Sequence, residues 1–270
     1  IRRRLGFPLI LKTIADIDIK KDRGVRTEGI KMTTNADEVI DDPDIKIVME
    51  LIGGDEPARS LILKAISRKK HIVTANKALL AVHGNEILKA AEQNGVDVSF
   101  EGSVGGGIPI IRAMKEGLAA NNFLKIFGIM NGTSNYILTE MTIKGEDFGK
   151  VLKKAQEMGY AEADPSFDVD GIDTAHKLAI LISMAYSIPL QFDSIYVEGI
   201  RNITPQDIRY AAEFGYKIKL LAISVQHENA IEARVHPTMV PSDSIISQVD
   251  GVYNSIYVAV SYTHLTLPTN

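Results

Sequence analysis

The chain has no cysteine among its 270 residues. Disulfides, thiolate nucleophiles and cysteine-ligated metals are therefore excluded. No apolar run approaches the ~18 residues that a membrane-spanning helix needs. Long basic stretches are also missing: acids and bases are mixed along the chain, with a formal net charge of −4. That is no electrostatic footprint for a nucleic acid. The histidines, His71, His83, His176, His227, His236 and His264, never fall at H-x-x-x-H spacing, which speaks against a zinc site. Neither a G-x-S-x-G elbow nor a Walker loop is present. What remains, at 45% hydrophobic and 24% charged residues, is an ordinary soluble globular composition, long enough for two small domains. A cytoplasmic protein is the expectation. The basic start, Ile1 to Arg4, reads as the middle of a helix.

Leu9–Ile19 is rich in β-formers, and Ile45–Ile52 is an apolar run of strand length. Pro57–Lys69 carries Leu61, Ile62, Ala65 and Ile66 at helical spacing, with the proline suited to a first turn. His71–Thr74 reads as a strand, Lys77–Asn94 as helical pieces interrupted near Gly84, and Val96–Phe100 as another strand. Strands alternating with helices imply a parallel sheet covered on both faces. The pattern changes at the glycine-rich GSVGGGIP, residues 102–109. Beyond it lie a strand at Phe123–Met130 and helices at 134–142, 148–158 and 173–186. A further helix at 205–214 is capped by Thr204 with Asp207 three residues on. Two strands, 217–226 and 231–240, are expected to pair antiparallel. The fold class is thus α/β: a Rossmann-like doubly wound parallel sheet, incomplete at its N-terminus, over residues 1–106, then an α+β substrate and dimerisation domain over 107–259. Residues 260–270 show neither helical period nor clean alternation and read as a doubtful tail.

A dinucleotide-binding sheet needs an acid at the end of an early strand to accept from the adenosine ribose. Asp16 and Asp18 are the candidates, while Lys20, Lys21 and Arg23 would suit a 2′-phosphate. The same residues also read as solvated loop charges. No G-x-G-x-x-G precedes the Leu9 segment, and the chain starts too late to hold one. The glycines at 102–107 follow a later strand with a different spacing, so they serve equally as a tight turn between domains.

Lys177 follows Asp173 by four positions in a helical stretch, which puts ammonium and carboxylate on one face. Such a pair can move the proton that accompanies hydride transfer to a carbonyl; it is also what an exposed helix-face ion pair looks like. Just upstream, GYAEADPSFDVDG (159–171) concentrates Glu162, Asp164, Asp168 and Asp170 in a loop marked by Gly159, Pro165 and Gly171. Next to a lysine, these acids can bind an amino-acid ammonium, hold a calcium-like ion or simply face solvent. Their spacing is not that of an EF-hand. Lys77 follows the His71–Thr74 strand at its carboxyl end, where ligands gather in parallel sheets.

Six segments then resemble one family, in order: ELIGGDEPA (50–58), HIVTANKALLAVHG (71–84), FEGSVGGGIPII (100–111), GIMNGTSNYILTEM (128–141), AQEMGYAEADPSFDVDGIDTAHKLAIL (155–181), and EGI with GYKIKLLA (198–200, 215–222). The family is homoserine dehydrogenase. The resemblance covers residues 5–258 and implies reversible reduction of aspartate 4-semialdehyde to homoserine with NADH or NADPH, in the route to threonine and methionine. It implies that Lys177 is the proton donor and that Glu162 and Asp173 hold the substrate, with Glu162 the partner of its ammonium. Thr74, Lys77 and Gly159 would lie along the NAD or NADP cofactor. It also implies a monovalent cation, sodium, on Glu101 and the main-chain oxygens of Val104, Gly106 and Ile108. Oxygen ligands on a tight glycine turn suit a hard cation. A sheet-mediated homodimer is expected, with no nucleic-acid or membrane partner. The competing reading is an inactive dimerising or amino-acid-binding remnant. A third, a related dehydrogenase acting on a sugar phosphate, is disfavoured because a phosphate ester wants Arg and Lys where 159–173 offers acids.

Overall fold

The computed structural model describes residues 5–261 and the backbone of 264–267. The mid-helix reading of Ile1–Arg4 lies outside the described residues. The chain forms two compact units, one from the residues up to Thr74 with Glu86–Ser99, the other from Ala75–Asn85 with Phe100 onward. The second unit takes up the chain again ahead of the Gly102–Pro109 segment.

In the first unit β1 (Thr13–Ala15) and β2 (Lys31–Thr33) pair in parallel, Thr13 opposite Lys31. A second sheet sets β3 (Ile47–Glu50), β4 (His71–Thr74) and β5 (Val98–Ser99) side by side, all parallel. Helix α1 (Asp37–Ile40) follows β2, and α2 (Ala58–Ser67) packs against β3 and β4 through Ile62, Ala65 and Ile66. The 3.6-residue spacing read in 57–69 is thus the buried face of α2. Two expected strands are shorter than their composition suggests, for a common reason. Asp16 Oδ1 accepts the Asp18 amide at 2.8 Å and Asp18 Oδ1 accepts the Lys20 amide at 3.1 Å, turning the chain after β1. Glu50 Oε1 likewise accepts the amides of Ile52 and Gly53 at 2.7 and 2.9 Å, ending β3. Side chains that bond neighbouring amides compete with the strand ladder.

The helix α3 (Lys77–Asn94) is continuous, which corrects the expected interruption near Gly84. A glycine inside a helix has a propensity cost, but here packing decides. A Cβ at Gly84 would lie 2.3 Å from the Leu190 Cδ1 atom. Beside it, Asn85 exchanges two hydrogen bonds with the Leu190 backbone, at 3.1 and 2.9 Å.

The second unit opens with a 3₁₀ turn at Glu101–Ser103 and α4 (Ile110–Arg112), which runs into a wider turn over Ala113–Gly117. Its six-stranded sheet contains β6 (Phe123–Ile129), β7 (Tyr196–Val197), β8 (Tyr216–Gln226), β9 (Ile231–Pro241), β10 (Ser255–Val260) and β11 (His264–Leu267), in the order β11-β10-β6-β8-β9-β7. The long β8–β9 pair is antiparallel, as expected; β7 alone runs parallel to its neighbour, β9. β11 pairs antiparallel with β10, so the tail is not wholly patternless. A ladder is made by backbone groups and an open edge, and needs no alternation of side chains.

The helices α5 (Gly132–Lys144), α6 (Phe148–Glu157), α7 (Ser166–Val169), α8 (Ile172–Tyr186) and α9 (Pro205–Glu213) complete the unit. α8 contacts β6, β8 and β9, while α5 and α9 contact β8. Residues Ile218 to Ser224 of β8 are buried without a break, as in a strand covered on both faces. One face carries the main core; on the other lie Ile129, Leu221, Ile223 and Val240 with Phe127, Val225, Ile246 and Val249. α9 has the capping box expected of it, with Thr204 and Asp207 exchanging side-chain and backbone hydrogen bonds.

Candidate active site

Asp173 and Lys177 occupy the first turns of α8, which follows Gly171 in the left-handed region at φ +84°. Lys177 Nζ donates to Asp173 Oδ2 at 2.6 Å and to the Met130 carbonyl at 2.5 Å, and its side chain is 13% exposed. This is no solvated helix-face pair. Lys77, at the start of α3, reaches the other oxygen of Asp173 at 3.2 Å and stands 5.8 Å over the Phe167 ring. One buried carboxylate thus bridges two ammonium groups.

A fourth residue completes the cluster and was not singled out in the sequence. Asn131 precedes α5 as its N-cap, with Oδ1 accepting the Ser134 amide at 2.8 Å. Its Nδ2 donates to Asp173 Oδ2 at 2.8 Å and to Asp168 Oδ1 at 2.7 Å. A side-chain amide has two N–H donors, so Asn131 spends both on carboxylates. An Asn just before a helical run can be an N-cap, but the run expected from the sequence begins at 134, three residues on, and the structure starts the helix at Gly132. Only the fold tells which acids its other end meets. Burial pushes the Asp173 pKa up, but the Lys177 charge and hydrogen bond, then Asn131 and Lys77, outweigh it and hold the carboxyl below its ordinary value.

Most of the acids of 159–171 are committed. Asp164 accepts the Ser166 amide at 3.0 Å at the start of α7, Asp168 takes Asn131, and Asp170 pairs with Arg201. Glu162 is exposed, and its carboxylate has no hydrogen bond or ion pair among the described residues; only its carbonyl is engaged, by Gln156 at 3.0 Å. Gly159 turns the chain after α6 at φ +76°, with open space beside its Cα.

His176 is buried between Phe167 and Phe192, with ring centroids 5.3 and 4.4 Å away, and its Nδ1 has no partner among the described residues. Burial depresses its pKa, Lys77 adds to this, and Asp173 opposes. The unfolded chain then binds the extra proton first, so stability falls as pH drops below the ordinary value of 6.5 and levels off under the folded value. Tm followed from pH 7 to 5 should therefore fall more for the parent than for His176→Phe. Parallel curves would show that His176 is not held neutral.

The expected cation ligands are partly occupied. Both oxygens of Glu101 accept backbone amides, from Ile111 and Arg112 at 3.0 Å each, capping α4. Ile108 bonds back to the Gly105 carbonyl at 2.7 Å, and its own carbonyl accepts Ile110 at 2.8 Å. The Val104 and Gly106 carbonyls have no hydrogen-bond partner among the described residues. Among those residues no group of three or more His, Cys, Asp or Glu could hold a metal.

Within the first unit Thr74 Oγ1 donates to Glu50 Oε2 at 2.6 Å, so that Glu50, 4% exposed, ties together the carboxyl ends of β3 and β4. Gly53 follows at φ +78°, and a Cβ there would meet nothing within 4 Å, which leaves room for close approach. Asp16, just after β1, pairs with Arg23 at 2.7 Å. No helix of the described residues is long and apolar enough to cross a membrane.

One unit of parallel strands, where ligands gather at the carboxyl ends, and a second bearing a buried lysine–carboxylate pair define a two-unit α/β protein. Comparison narrows the class. The family model described as homoserine dehydrogenase matches residues 109–267, and that described as homoserine dehydrogenase, NAD binding domain matches residues 2–101. The chain belongs to the homoserine dehydrogenase family. It is 53% identical over 86% of its length to the homoserine dehydrogenase of Pseudomonas aeruginosa and 46% identical over 99% to that of Neisseria gonorrhoeae. A crystal structure of a homoserine dehydrogenase from Thiobacillus denitrificans superposes with a TM-score of 0.94 at 52% identity, covering 97% of this chain and 61% of that one. A hyperthermophilic archaeal homoserine dehydrogenase in complex with NADPH gives 0.74 at 26% identity, covering 86% of this chain and 68% of the other. The chain spans 54% and 61% of the length of the two curated relatives.

Proposed function

We propose that the protein interconverts L-homoserine and L-aspartate 4-semialdehyde with NADH or NADPH, serving threonine and methionine biosynthesis in the cytoplasm. The observation that carries this reading is the Lys77–Asp173–Lys177 cluster. An ammonium has three N–H donors. Lys177 commits two, to Asp173 and the Met130 carbonyl, and keeps one for a ligand. The cofactor supplies or takes the hydride when bound. The aldehyde oxygen then needs a proton from a positioned acid, and the third donor of Lys177 is that acid. Asp173 fixes its direction and compensates its charge. Glu162, the uncommitted carboxylate of the acidic loop, takes the α-ammonium of the substrate.

For the cofactor we assign Thr74, Lys77 and Gly159, with Gly53 after β3 offering close backbone approach. Asp16 paired with Arg23 presents an acceptor to a ribose 2′-hydroxyl and a guanidinium to a 2′-phosphate, which suits either dinucleotide. For the monovalent cation, sodium, we assign Glu101 and the carbonyls of Val104, Gly106 and Ile108. One carboxylate among carbonyl oxygens suits a hard, singly charged ion; each oxygen already bonded keeps a second lone pair. For a homodimer we assign the six-stranded sheet of the second unit.

The deciding measurement is oxidation of NADH or NADPH on addition of aspartate semialdehyde, with and without sodium. Turnover is expected. A folded protein that binds the dinucleotide and never reduces the semialdehyde would sink the assignment.

A further inference from the structure

Lys219 lies in the middle of β8 and is 2% exposed. The proton transfer above makes no use of it. A buried ammonium persists only where its protons are matched, and here all three are: by Val249 O at 2.8 Å, Asp250 Oδ1 at 2.7 Å and Asn135 Oδ1 at 3.2 Å. Asn135, on α5, in turn donates to the carbonyls of Val249 and Tyr253 at 3.0 and 3.1 Å. Thr139, one turn further along α5, accepts the Gly251 amide at 3.1 Å. The 249–253 segment precedes β10 as an irregular loop whose backbone groups need partners. Side chains of β8 and α5 supply them.

The far side of that loop rests on the first turn of α5. A Cβ at Gly132 would lie 2.7 Å from the Val252 carbonyl oxygen, backbone that cannot yield as a side-chain tip does. Gly132 follows directly on Met130, whose carbonyl receives Lys177, and on Asn131, whose amide holds Asp173 and Asp168. A shift of the loop is therefore a shift of these two groups. We infer that Lys219 is a positioning residue: by anchoring the 249–253 loop it holds the first turn of α5, and with it Asn131 and the Met130 carbonyl, in register with Asp173 and Lys177. The inference rests on the proposed reaction for its kinetic consequence, though not for its geometric one.

The groups facing Asp173 are Lys177 and His176 on its own helix, Lys77 from α3, and Asn131, which shares its amide with Asp168 of α7. Only Asn131 lies next to the turn that Lys219 secures. Loosening that turn removes a donor from Asp173 and raises its proton affinity. Lys219→Met keeps the apolar stem and deletes the charge. Thr139→Val removes a separate anchor of the same loop without touching a buried charge. In Lys219→Met, kcat is expected to fall about 10–100-fold, the scale of a small misplacement far from the chemistry. Cofactor affinity should stay unchanged and the acid limb of the kcat/KM profile should move to higher pH. Thr139→Val should move the limb the same way by less. The Asp173 carboxyl carbon, titrated by NMR in all three proteins, reads the same shift without turnover.

A folded Lys219→Met with parental kcat and an unmoved Asp173 titration overturns the inference. So does a loss of kcat that only tracks the folded fraction while the titration stays put. If Lys219→Met does not fold, Thr139→Val decides by the same titration. If the parent never reduces the semialdehyde, the proposed function fails instead, and the carboxyl titration still judges the positioning role.

Discussion

Lys177→Ala is expected to lower kcat by about 10²–10⁴-fold, the contribution of a positioned general acid, while leaving the fold and cofactor affinity in place. The structure explains why the two effects separate. When Lys177 is removed, Asp173 keeps Lys77 at 3.2 Å and Asn131 at 2.8 Å, so no buried charge is left bare. The Met130 carbonyl loses its partner, but a water in the space the lysine side chain vacates can take that place. The check is kcat and KM for the semialdehyde, cofactor affinity by fluorescence, and Tm. A drop in kcat with a normal Tm and normal dinucleotide binding assigns the proton to Lys177. Retention of more than a tenth of parental kcat would mean that another group, or water, delivers it. Lys177→Arg is expected to rescue little: the planar fork is always charged and gives up its proton far less readily than an ammonium.

How far the site could be read from the residues depends on the distance a contact spans. The Asp173–Lys177 pair is an i,i+4 relation, visible in any helical stretch. What turned it from a surface pair into a buried one is the set of partners drawn from Lys77, Asn131 and Met130, and no local pattern carries that. The strands His71–Thr74 and 231–240 were legible because their alternation and flanking turns are local. Gly84 was misread because its helix is held by packing against Leu190, which overrides the glycine's own preference. Leu9–Ile19 shrank because Asp16 and Asp18 bond their own loop. Lys219 was least visible of all. One lysine in an apolar strand looks like a solvent-facing position, and only the irregular loop packed over it makes it a core residue.

Asp173→Asn should have the second largest effect, in stability as well as rate. The substitution keeps the shape and an acceptor for Asn131 and deletes the charge that two ammonium groups share. Lys77, 33% exposed, can turn toward water; Lys177, at 13%, cannot. Leaving one buried charge without its partner costs about 3–5 kcal/mol, and the freedom of Lys77 places the expected loss at the lower end. Acid titration provides a sharper test. The folded Asp173 pKa lies below its ordinary value of 3.8, so near that pH the unfolded chain binds the proton that the folded chain refuses. Stability from this group is complete above about 3.8 and is lost as pH falls through the folded value. Denaturation midpoints should therefore show a smaller drop between pH 5 and 3 in Asp173→Asn than in the parent, from a lower starting point. If the variant matches the parent at pH 7 and follows the same acid slope, Asp173 is not the bridge between the two lysines. The geometry of proton delivery would then have to be drawn from Lys77 and Lys177 alone.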